Sequence, residues 1–337
     1  MTHGLAGRFR LQFAPMHHSA LACPSPALDP GKFRDPMVTA DGKSRATVPF
    51  AGLKTLWINT GTLCNLTCAH CYIESSPKND RLAYITASEV AVYLDEIAAG
   101  RLPTEEIAFT GGEPFLNPDL LEMLRGALGR GFRVLVLTNA MRPMRRHGEA
   151  LLELKEIFGE KLAVRVSLDH YGKAPHDRER GENTWEKTLD GLVWLSRAGF
   201  NVGVAGRTCW GESEDEMREG YGRLFRERGV AVAARNPQAL ILFPEMDAAL
   251  DVPEITETCW ETLGIEATSV MCASSRMVAK RKGATRPVVL ACTLIAYDPA
   301  FEMGETLEEA AAQVQLNHPH CARFCVLGGS SCSRGVA

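Results

Sequence analysis

The chain has 337 residues, of which 45% are hydrophobic and 23% charged, a composition typical of a globular protein with a substantial core. Lysine and arginine number 37 against 41 aspartates and glutamates, a net charge of −4, which argues against a broad nucleic-acid surface. No apolar run approaches the roughly 20 residues of a membrane helix, and the stretch before Cys23 is too polar for a secretion signal. We expect a soluble, cytoplasmic protein that binds neither membranes nor nucleic acid.

Residues 1–53 are rich in proline and glycine and lack hydrophobic periodicity, so we expect an irregular N-terminal extension, within which Met16 and Met37 are alternative starts of translation. Apolar and β-branched runs then predict six strands: Leu56–Asn59, Glu106–Thr110, Phe132–Thr138, Leu162–Leu168, Asn201–Gly206 and Val230–Ala234. Amphipathic segments between them predict five helices: Thr86–Ala99, Pro118–Leu128, Gly148–Phe158, Thr184–Ala198 and Glu212–Arg228. Strands alternating with helices over short connections predict a parallel sheet, either open or curled into a barrel.

Two helix starts carry capping residues. Thr86 with Glu89 forms a capping box, and Asn117 is the predicted cap of the second helix. The alternation stops near residue 238. Residues 239–337 hold six cysteines and one long amphipathic stretch, Leu307–Leu316. We therefore predict three parts: the extension 1–53, an α/β core 54–238 and a small cysteine-rich region 239–337.

The eleven cysteines are the most unusual feature of the composition. An odd count in a chain of this size does not suggest a disulfide scaffold, and clustered cysteines in a reducing compartment are typical metal ligands. Three of them are spaced C-x3-C-x2-C, at Cys64, Cys68 and Cys71. Three thiolates in so short a loop can reach three corners of an iron–sulfur cubane and leave its fourth iron open. The alternative is a structural zinc site with His70 as fourth ligand, although His70 is awkwardly adjacent to Cys71.

The position of the triplet favours a catalytic site. It follows the first strand, and active sites of parallel α/β folds collect at the C-terminal edge of the sheet. The second strand ends in Gly111-Gly112-Glu113-Pro114, where two glycines allow the backbone to approach a ligand closely. Together these features predict that ligands bind where the first two strands end.

On these residues and the order of its β/α units, the chain resembles the radical S-adenosylmethionine (SAM) superfamily over about residues 54–236. The resemblance implies a partial (β/α)6 barrel and a [4Fe-4S] cluster on the three cysteines. SAM would bind the open iron, and His70, Gly111, Gly112 and Glu113 would contact it. His70 stands where the family usually has another aromatic residue.

Residues after the fourth predicted strand extend the resemblance. Ser167 and Asp169, with the loop His176 to Arg180, are similar to a pattern of family members that modify peptides or proteins. The resemblance implies that Ser167 and Arg180 help to hold SAM. His170 replaces the usual glycine after the aspartate. Arg207 and Cys209, just beyond the fifth strand, could face a substrate.

The C-terminal cysteines form a second constellation. Cys272 and Cys292 flank a predicted hairpin of Ser275–Lys280 and Val288–Ala291. A C-x3-C pair, Cys321 and Cys325, follows the hairpin, and Cys332 comes after this pair. This region resembles the auxiliary-cluster (twitch or SPASM) region of many radical SAM enzymes and implies one auxiliary [4Fe-4S] cluster. Its preferred ligands are Cys272, Cys292, Cys321 and Cys325, with Cys332 as the alternative. A zinc ribbon joined by His318 or His320 is the competing interpretation.

The resemblance implies an enzyme that cleaves SAM reductively to a 5′-deoxyadenosyl radical, which abstracts a hydrogen atom from its substrate. A flavodoxin or ferredoxin would supply the electron. The loop at 176–180 favours oxidation or crosslinking of a peptide or protein side chain, and a small metabolite is the alternative substrate. The hypothesis of another class is a zinc-stabilised binding or sensor protein.

Overall fold

The computed structural model describes residues 26–245 and 247–329. The predictions for Cys23 and Cys332 lie outside these residues. One mostly parallel sheet of eight strands organises the fold. The strands of this sheet are β2 (Thr55–Asn59), β3 (Glu106–Thr110), β4 (Arg133–Thr138), β5 (Leu162–Ser167), β6 (Asn201–Arg207), β7 (Leu240–Phe243), β8 (Ser275–Ala279) and β9 (Val288–Leu290). Their order in the sheet is β7-β6-β5-β4-β3-β2-β8-β9, and only β9 runs antiparallel to its neighbour. The predicted α/β class and the parallel order of the strands are confirmed.

The predicted helices are all present, with small shifts of their ends. The longer helices are α1 (Ala87–Gly100), α2 (Leu120–Gly129), α4 (Gly148–Phe158), α5 (Lys173–Arg180), α6 (Thr184–Arg197) and α7 (Glu214–Arg228), and the short ones are α3 (Arg142–Arg145) and α8 (Thr258–Leu263). The capping box at α1 is confirmed: the Glu89 N–H donates to the Thr86 hydroxyl, and the Glu89 carboxylate accepts from the Thr86 N–H. None of the helices in the described part of the chain is long and apolar enough to cross a membrane.

Both faces of the parallel strands are buried, which explains their nearly continuous apolar sequences. Alternate residues point to opposite faces of a strand. On β3, for example, Phe109 packs under the helices and Ala108 packs in the second core, inside the curved sheet. Trp57 on β2 and Leu135 on β4 belong to that inner core as well. The inward-facing residues at the ends of the strands therefore lie next to this apolar inner core.

Three local predictions are wrong. The sixth core strand is Leu240–Phe243 and not Val230–Ala234, which forms no strand, and residues 176–180 belong to α5 and not to a loop. The N-cap of α2 is Asp119 and not Asn117, whose Oδ1 accepts from the Asp119 N–H and whose amide donates to the carbonyls of Thr60 and Ile85, so that it ties two loops to the start of the helix. The amphipathic stretch Leu307–Leu316 forms turns and the two-residue strand β10 (Val314–Gln315).

The predicted hairpin is confirmed, and the structure adds where it lies. β8 pairs in parallel with β2, so the hairpin extends the core sheet beside the first strand. The buried guanidinium of Arg276 donates to four backbone carbonyls, those of Cys272, Ser275, Ala310 and Ala312. The sheet therefore continues past residue 238, and the part limits 1–53, 54–238 and 239–337 stay a prediction.

The described part of the N-terminal extension is fixed to the C-terminal region. β1 (Thr47–Val48) pairs antiparallel with β10. The carboxylate of Glu254 accepts from the backbone N–H groups of Phe33 and Ala40 and pairs with Arg45 at 2.6 Å. Because Arg45 and Glu254 are both buried, removing either partner would leave an unpaired charge in the interior.

His176 on α5 gives the fold a specific dependence on pH. The backbone N–H of Asp169 donates to its Nδ1 at 3.2 Å, so the ring is held neutral. Burial, aided by the charge of Arg180, lowers the pKa of His176 from 6.5 to about 4. As pH falls through this window the unfolded state takes up a proton that the folded state does not, so the free energy of unfolding decreases.

Between pH 7 and pH 5, we expect the free energy of unfolding to fall by about 2 kcal/mol less in His176→Gln than in the wild type. Glutamine keeps an acceptor for the Asp169 N–H and does not titrate. Urea unfolding at both pH values measures the effect, with the half-exposed His147→Gln as control. Parallel pH dependences for the wild type and His176→Gln would contradict this account.

Candidate functional site

A cavity opens at the C-terminal edge of the sheet. Its floor consists of the last inward-facing residues of successive strands. These are Thr110 on β3, Leu137 on β4, Ser167 on β5, and Ala205 and Arg207 on β6. The alternation of side chains along each strand brings these residues together.

The three cysteines of the C-x3-C-x2-C loop all line this cavity. The Leu66 N–H donates to the sulfur of Cys64 at 3.4 Å, and the Ser75 N–H donates to that of Cys71 at 3.3 Å. Burial, together with nearby anionic groups, raises the pKa of Cys64 to about 12, and burial also raises the pKa of Cys68. These thiols become thiolates when a metal provides the compensating positive charge.

Three thiols within one short loop are a donor set that fits an iron–sulfur cubane with an open iron. Among the described residues, no group of three or more His, Cys, Asp or Glu side chains is arranged to hold a metal ion. The ring Nδ1 of His70 lies 2.8 Å from the Glu179 carboxylate, which leaves Nε2 as the ring nitrogen available to another ligand.

The glycine pair joins the second strand end to the cysteine loop. The Gly112 N–H donates to the Gly61 carbonyl at 2.8 Å, and the Glu113 N–H donates to the Leu63 carbonyl at 3.1 Å. Gly111 has φ +140°, and a Cβ on Gly112 would stand 2.6 Å from the carbonyl carbon of Leu63. Glycine is therefore required at both positions by close backbone packing, and both residues line the cavity.

Glu113 does not line the cavity. Its buried carboxylate accepts from the Thr138 hydroxyl at 2.8 Å, the Asn139 N–H at 2.9 Å and the Phe115 N–H at 3.3 Å. Burial raises its pKa to about 7, against the effect of these three donors. The side chain of Glu113 thus links the loops after β3 and β4, and the contact with SAM that the resemblance implies for Glu113 stays a prediction.

The structure brings the other residues implied as SAM contacts together around the first cavity. His70, Gly111, Gly112, Ser167 and Arg180 all line the cavity. Arg180 pairs with Asp169 through two hydrogen bonds of 2.9 Å. Burial opposes its charge, but Asp169 and the nearby sulfurs of Cys68 and Cys71 raise the pKa of Arg180 above its usual value. A fixed cation therefore stands beside the cysteine loop.

The preferred auxiliary cysteines converge as well. All four line a second, apolar cavity: Cys272, Cys292, Cys321 and Cys325. Cys321 and Cys325 lie on one turn of π-helix, Cys321–Val326, which turns both towards that cavity. Burial raises the pKa of Cys272 to about 12 and that of Cys292 to about 11. Sequence spacing alone did not show that the hairpin and the later pair meet.

His320 lines the second cavity too, and it is 7% exposed. Its Nδ1 is buried and has no hydrogen-bond partner among the described atoms. A buried polar atom without a partner costs about 1–3 kcal/mol, so a polar group bound in this cavity would satisfy it. The two cavities are neighbours, because Leu294 lines both.

Sequence analysis missed several residues that line the first cavity. Phe243, Pro244, Leu294 and Phe324 form an apolar wall, and no local motif marks them because they come from three distant segments. Glu179 was noted only as part of the 176–180 pattern. Arg207 was suggested as a substrate contact, and the structure places it in the lining, paired with Glu179 at 2.6 Å. Cys209 is half-buried and does not line the first cavity.

Comparison with known proteins adds an independent finding. The family model of the radical SAM superfamily matches residues 58–223. The antilisterial bacteriocin subtilosin biosynthesis protein AlbA of Bacillus subtilis is 36% identical over 143 residues, 42% of this chain and 30% of AlbA. AdoMet-dependent heme synthase of Methanosarcina barkeri is 31% identical over 140 residues, 41% of this chain and 37% of the synthase. The chain thus spans about a third of the length of these curated relatives.

Solved structures support the fold. Streptococcus suis SuiB bound to S-adenosylmethionine has a TM-score of 0.55 at 11% identity, covering 75% of this chain and 63% of SuiB. Native anSMEcpe with bound AdoMet has a TM-score of 0.53 at 15% identity, covering 76% of this chain and 79% of that protein. At such low identity the likeness is one of fold alone.

We expect Gly112→Ala to destabilise the protein by about 1–3 kcal/mol and to lower its iron content, because the new methyl group displaces the backbone of the cysteine loop. Gly129→Ala is the matched control, since a Cβ there meets nothing within 4 Å. Urea unfolding and iron per chain after anaerobic purification measure both effects. Equal stability and iron in the two variants would disprove the proposed role of this contact.

Proposed function

Because the chain carries a radical SAM domain over residues 58–223, we propose that it is a radical SAM oxidoreductase that modifies a peptide or protein side chain by oxidation or crosslinking. The observation that carries the proposal is the first cavity. Three cysteine thiols, a glycine pair and the Asp169–Arg180 ion pair border one space at the ends of the strands. This is the arrangement expected for a cluster with an open iron and an amino-acid-like ligand.

The cofactors of this domain are a [4Fe-4S] cluster and SAM. We assign the cluster to Cys64, Cys68 and Cys71. When bound, the cofactors supply a 5′-deoxyadenosyl radical that abstracts hydrogen from the substrate, and the protein provides orientation and electrostatics.

The chain's own residues hold the ligands and keep water out. We assign SAM to the part of the cavity lined by His70, Gly111, Gly112, Ser167 and Arg180, where Arg180 would supply a positive charge. The apolar part of the lining, which includes Phe243 and Phe324, would lower the local dielectric and exclude water from a reactive radical.

For the C-terminal region we propose one auxiliary [4Fe-4S] cluster on Cys272, Cys292, Cys321 and Cys325. Their convergence on one cavity and the orphaned Nδ1 of His320 support it. Cys332 replacing one of the four remains the alternative ligand. Since Leu294 lines both cavities, the two clusters would be held in neighbouring sites. A flavodoxin or ferredoxin is the proposed external donor.

Similarity to AlbA, a bacteriocin biosynthesis protein, favours a peptide substrate. AdoMet-dependent heme synthase and the GTP 3',8-cyclase of Rhodococcus opacus, 33% identical over 141 residues, favour the alternative of a small metabolite. Mass spectrometry of short peptides encoded beside the gene, incubated with reduced enzyme and SAM, decides between them. A SAM-dependent mass change in such a peptide supports the first.

We expect anaerobically purified wild type to be brown, with about eight irons per chain, and to form 5′-deoxyadenosine from SAM when reduced. Cys68→Ala should lose this activity and about four irons. Cys259→Ala is the control, because Cys259 is half-buried and lines neither cavity. A colourless zinc protein with no SAM cleavage would instead support a zinc-stabilised binding or sensor protein.

Cys321→Ala should lose about four irons and still cleave SAM, because its thiol belongs to the second cavity only. Iron and sulfide assays with 5′-deoxyadenosine quantification test this. An unchanged iron content would contradict the assignment of Cys321, and a loss of iron in Cys332→Ala but not in Cys325→Ala would favour the alternative ligand.

A further inference from the structure

The segment from Cys68 to Cys71 is irregular, and it carries two of the three cysteines of the first cavity. Within the described part of the chain, its hydrogen bonds to other elements of the fold all go to Glu179. The Ala69 N–H donates to the Glu179 carbonyl at 2.8 Å. The His70 N–H donates to Oε1 at 3.0 Å, and the His70 ring Nδ1 lies 2.8 Å from Oε2.

Glu179 also contacts the end of strand β6. Its Oε1 accepts from Nη1 of Arg207, the last residue of β6, at 2.6 Å. The side chains of Glu179 and Arg207 are 4% and 10% exposed, so the pair is shielded from water. One buried carboxylate thus connects the cysteine loop, helix α5 and the end of β6. Hydrogen bonds to a buried charged group are stronger than those between neutral groups.

The neighbouring residues of α5 do other work. Asp177 accepts from the N–H groups at the start of α6, and Arg180 pairs with Asp169. The remaining anchors of the loop act on other parts of it: Gly112 and Glu113 hold residues 61–63, and Asn139 donates to Asn65 at 2.9 Å. The stretch between the second and third cysteines therefore depends on Glu179.

We propose that Glu179 is a positioning residue for the primary cluster: it fixes the Cys68–Cys71 segment against β6 so that the cysteine thiols keep a cluster-binding arrangement. This inference rests on the proposed function. Arg207 balances the charge of Glu179. The carboxylate also sets the field at the cluster, because a negative charge in a low-dielectric wall disfavours the more negative, reduced state.

Two substitutions distinguish the positioning of the loop from the electrostatic effect of the charge. Glu179→Ala removes the side-chain hydrogen bonds and the charge. In Glu179→Gln the amide oxygen can still accept from Arg207 and the His70 N–H, and the amide nitrogen can donate to the His70 ring, but the negative charge is lost. Glu182→Gln is the matched control, because Glu182 lies three residues away and is exposed.

The experiment measures iron loss to a chelator and the midpoint potential of reconstituted, full-length protein. The EPR signal that changes on adding SAM identifies the primary cluster. We expect Glu179→Ala to lose primary-cluster iron at least fivefold faster than wild type. Glu179→Gln should stay within twofold and have a higher midpoint potential, and Glu182→Gln should match wild type in both.

Wild-type iron retention in a folded Glu179→Ala protein would overturn the proposal. If that variant does not fold by circular dichroism, Glu179→Gln decides: an unchanged potential and EPR signal would overturn it, and a raised potential with retained iron would support it. The Cys68→Ala result tests the cluster assignment independently, so failure of the proposed function is distinguishable from failure of this inference.

Discussion

Direct backbone contact between two loops is the constraint on which the site depends. The Gly112 and Glu113 N–H groups donate to the carbonyls of Gly61 and Leu63. A side chain at position 112 would collide with the Leu63 backbone and prevent this close approach. The contact continues the β2–β3 pairing beyond the strands. It therefore places the start of the cysteine loop directly above the sheet edge, where the inward-facing strand ends form the cavity floor.

From that fixed start, each neighbouring element holds one part of the loop. The loop after β4 reaches Asn65 through Asn139, and α5 holds Ala69 and His70 through Glu179. The hydroxyl of Tyr297, in the C-terminal region, donates to the Ile73 carbonyl at 2.8 Å. A loop without regular structure is thereby fixed along its whole length, which favours a preorganised cluster site over one that forms around its metal.

The C-terminal region extends the same sheet and lines the same cavity. β8 extends the core sheet beside β2, so the hairpin that carries Cys272 and Cys292 is aligned with the strand that leads to the first cysteines. Leu294 and Phe324 complete the wall of the first cavity from this region. The two cysteine sites are therefore neighbours, with Leu294 in the lining of both cavities.

The sequence by itself determined the parallel β/α order, the capping box of α1 and the cysteine triplet, because these depend on local periodicity and spacing. It failed at Val230–Ala234, whose apolar run packs without pairing, and at Asn117, whose amide bridges two loops distant in sequence. Only the tertiary structure decided that four C-terminal cysteines share one cavity, that the Glu113 carboxylate accepts from Thr138 and Asn139, and that Glu179 meets His70 and Arg207. Such contacts join residues that are far apart along the chain, and their energies come from burial and geometry that local spacing does not encode.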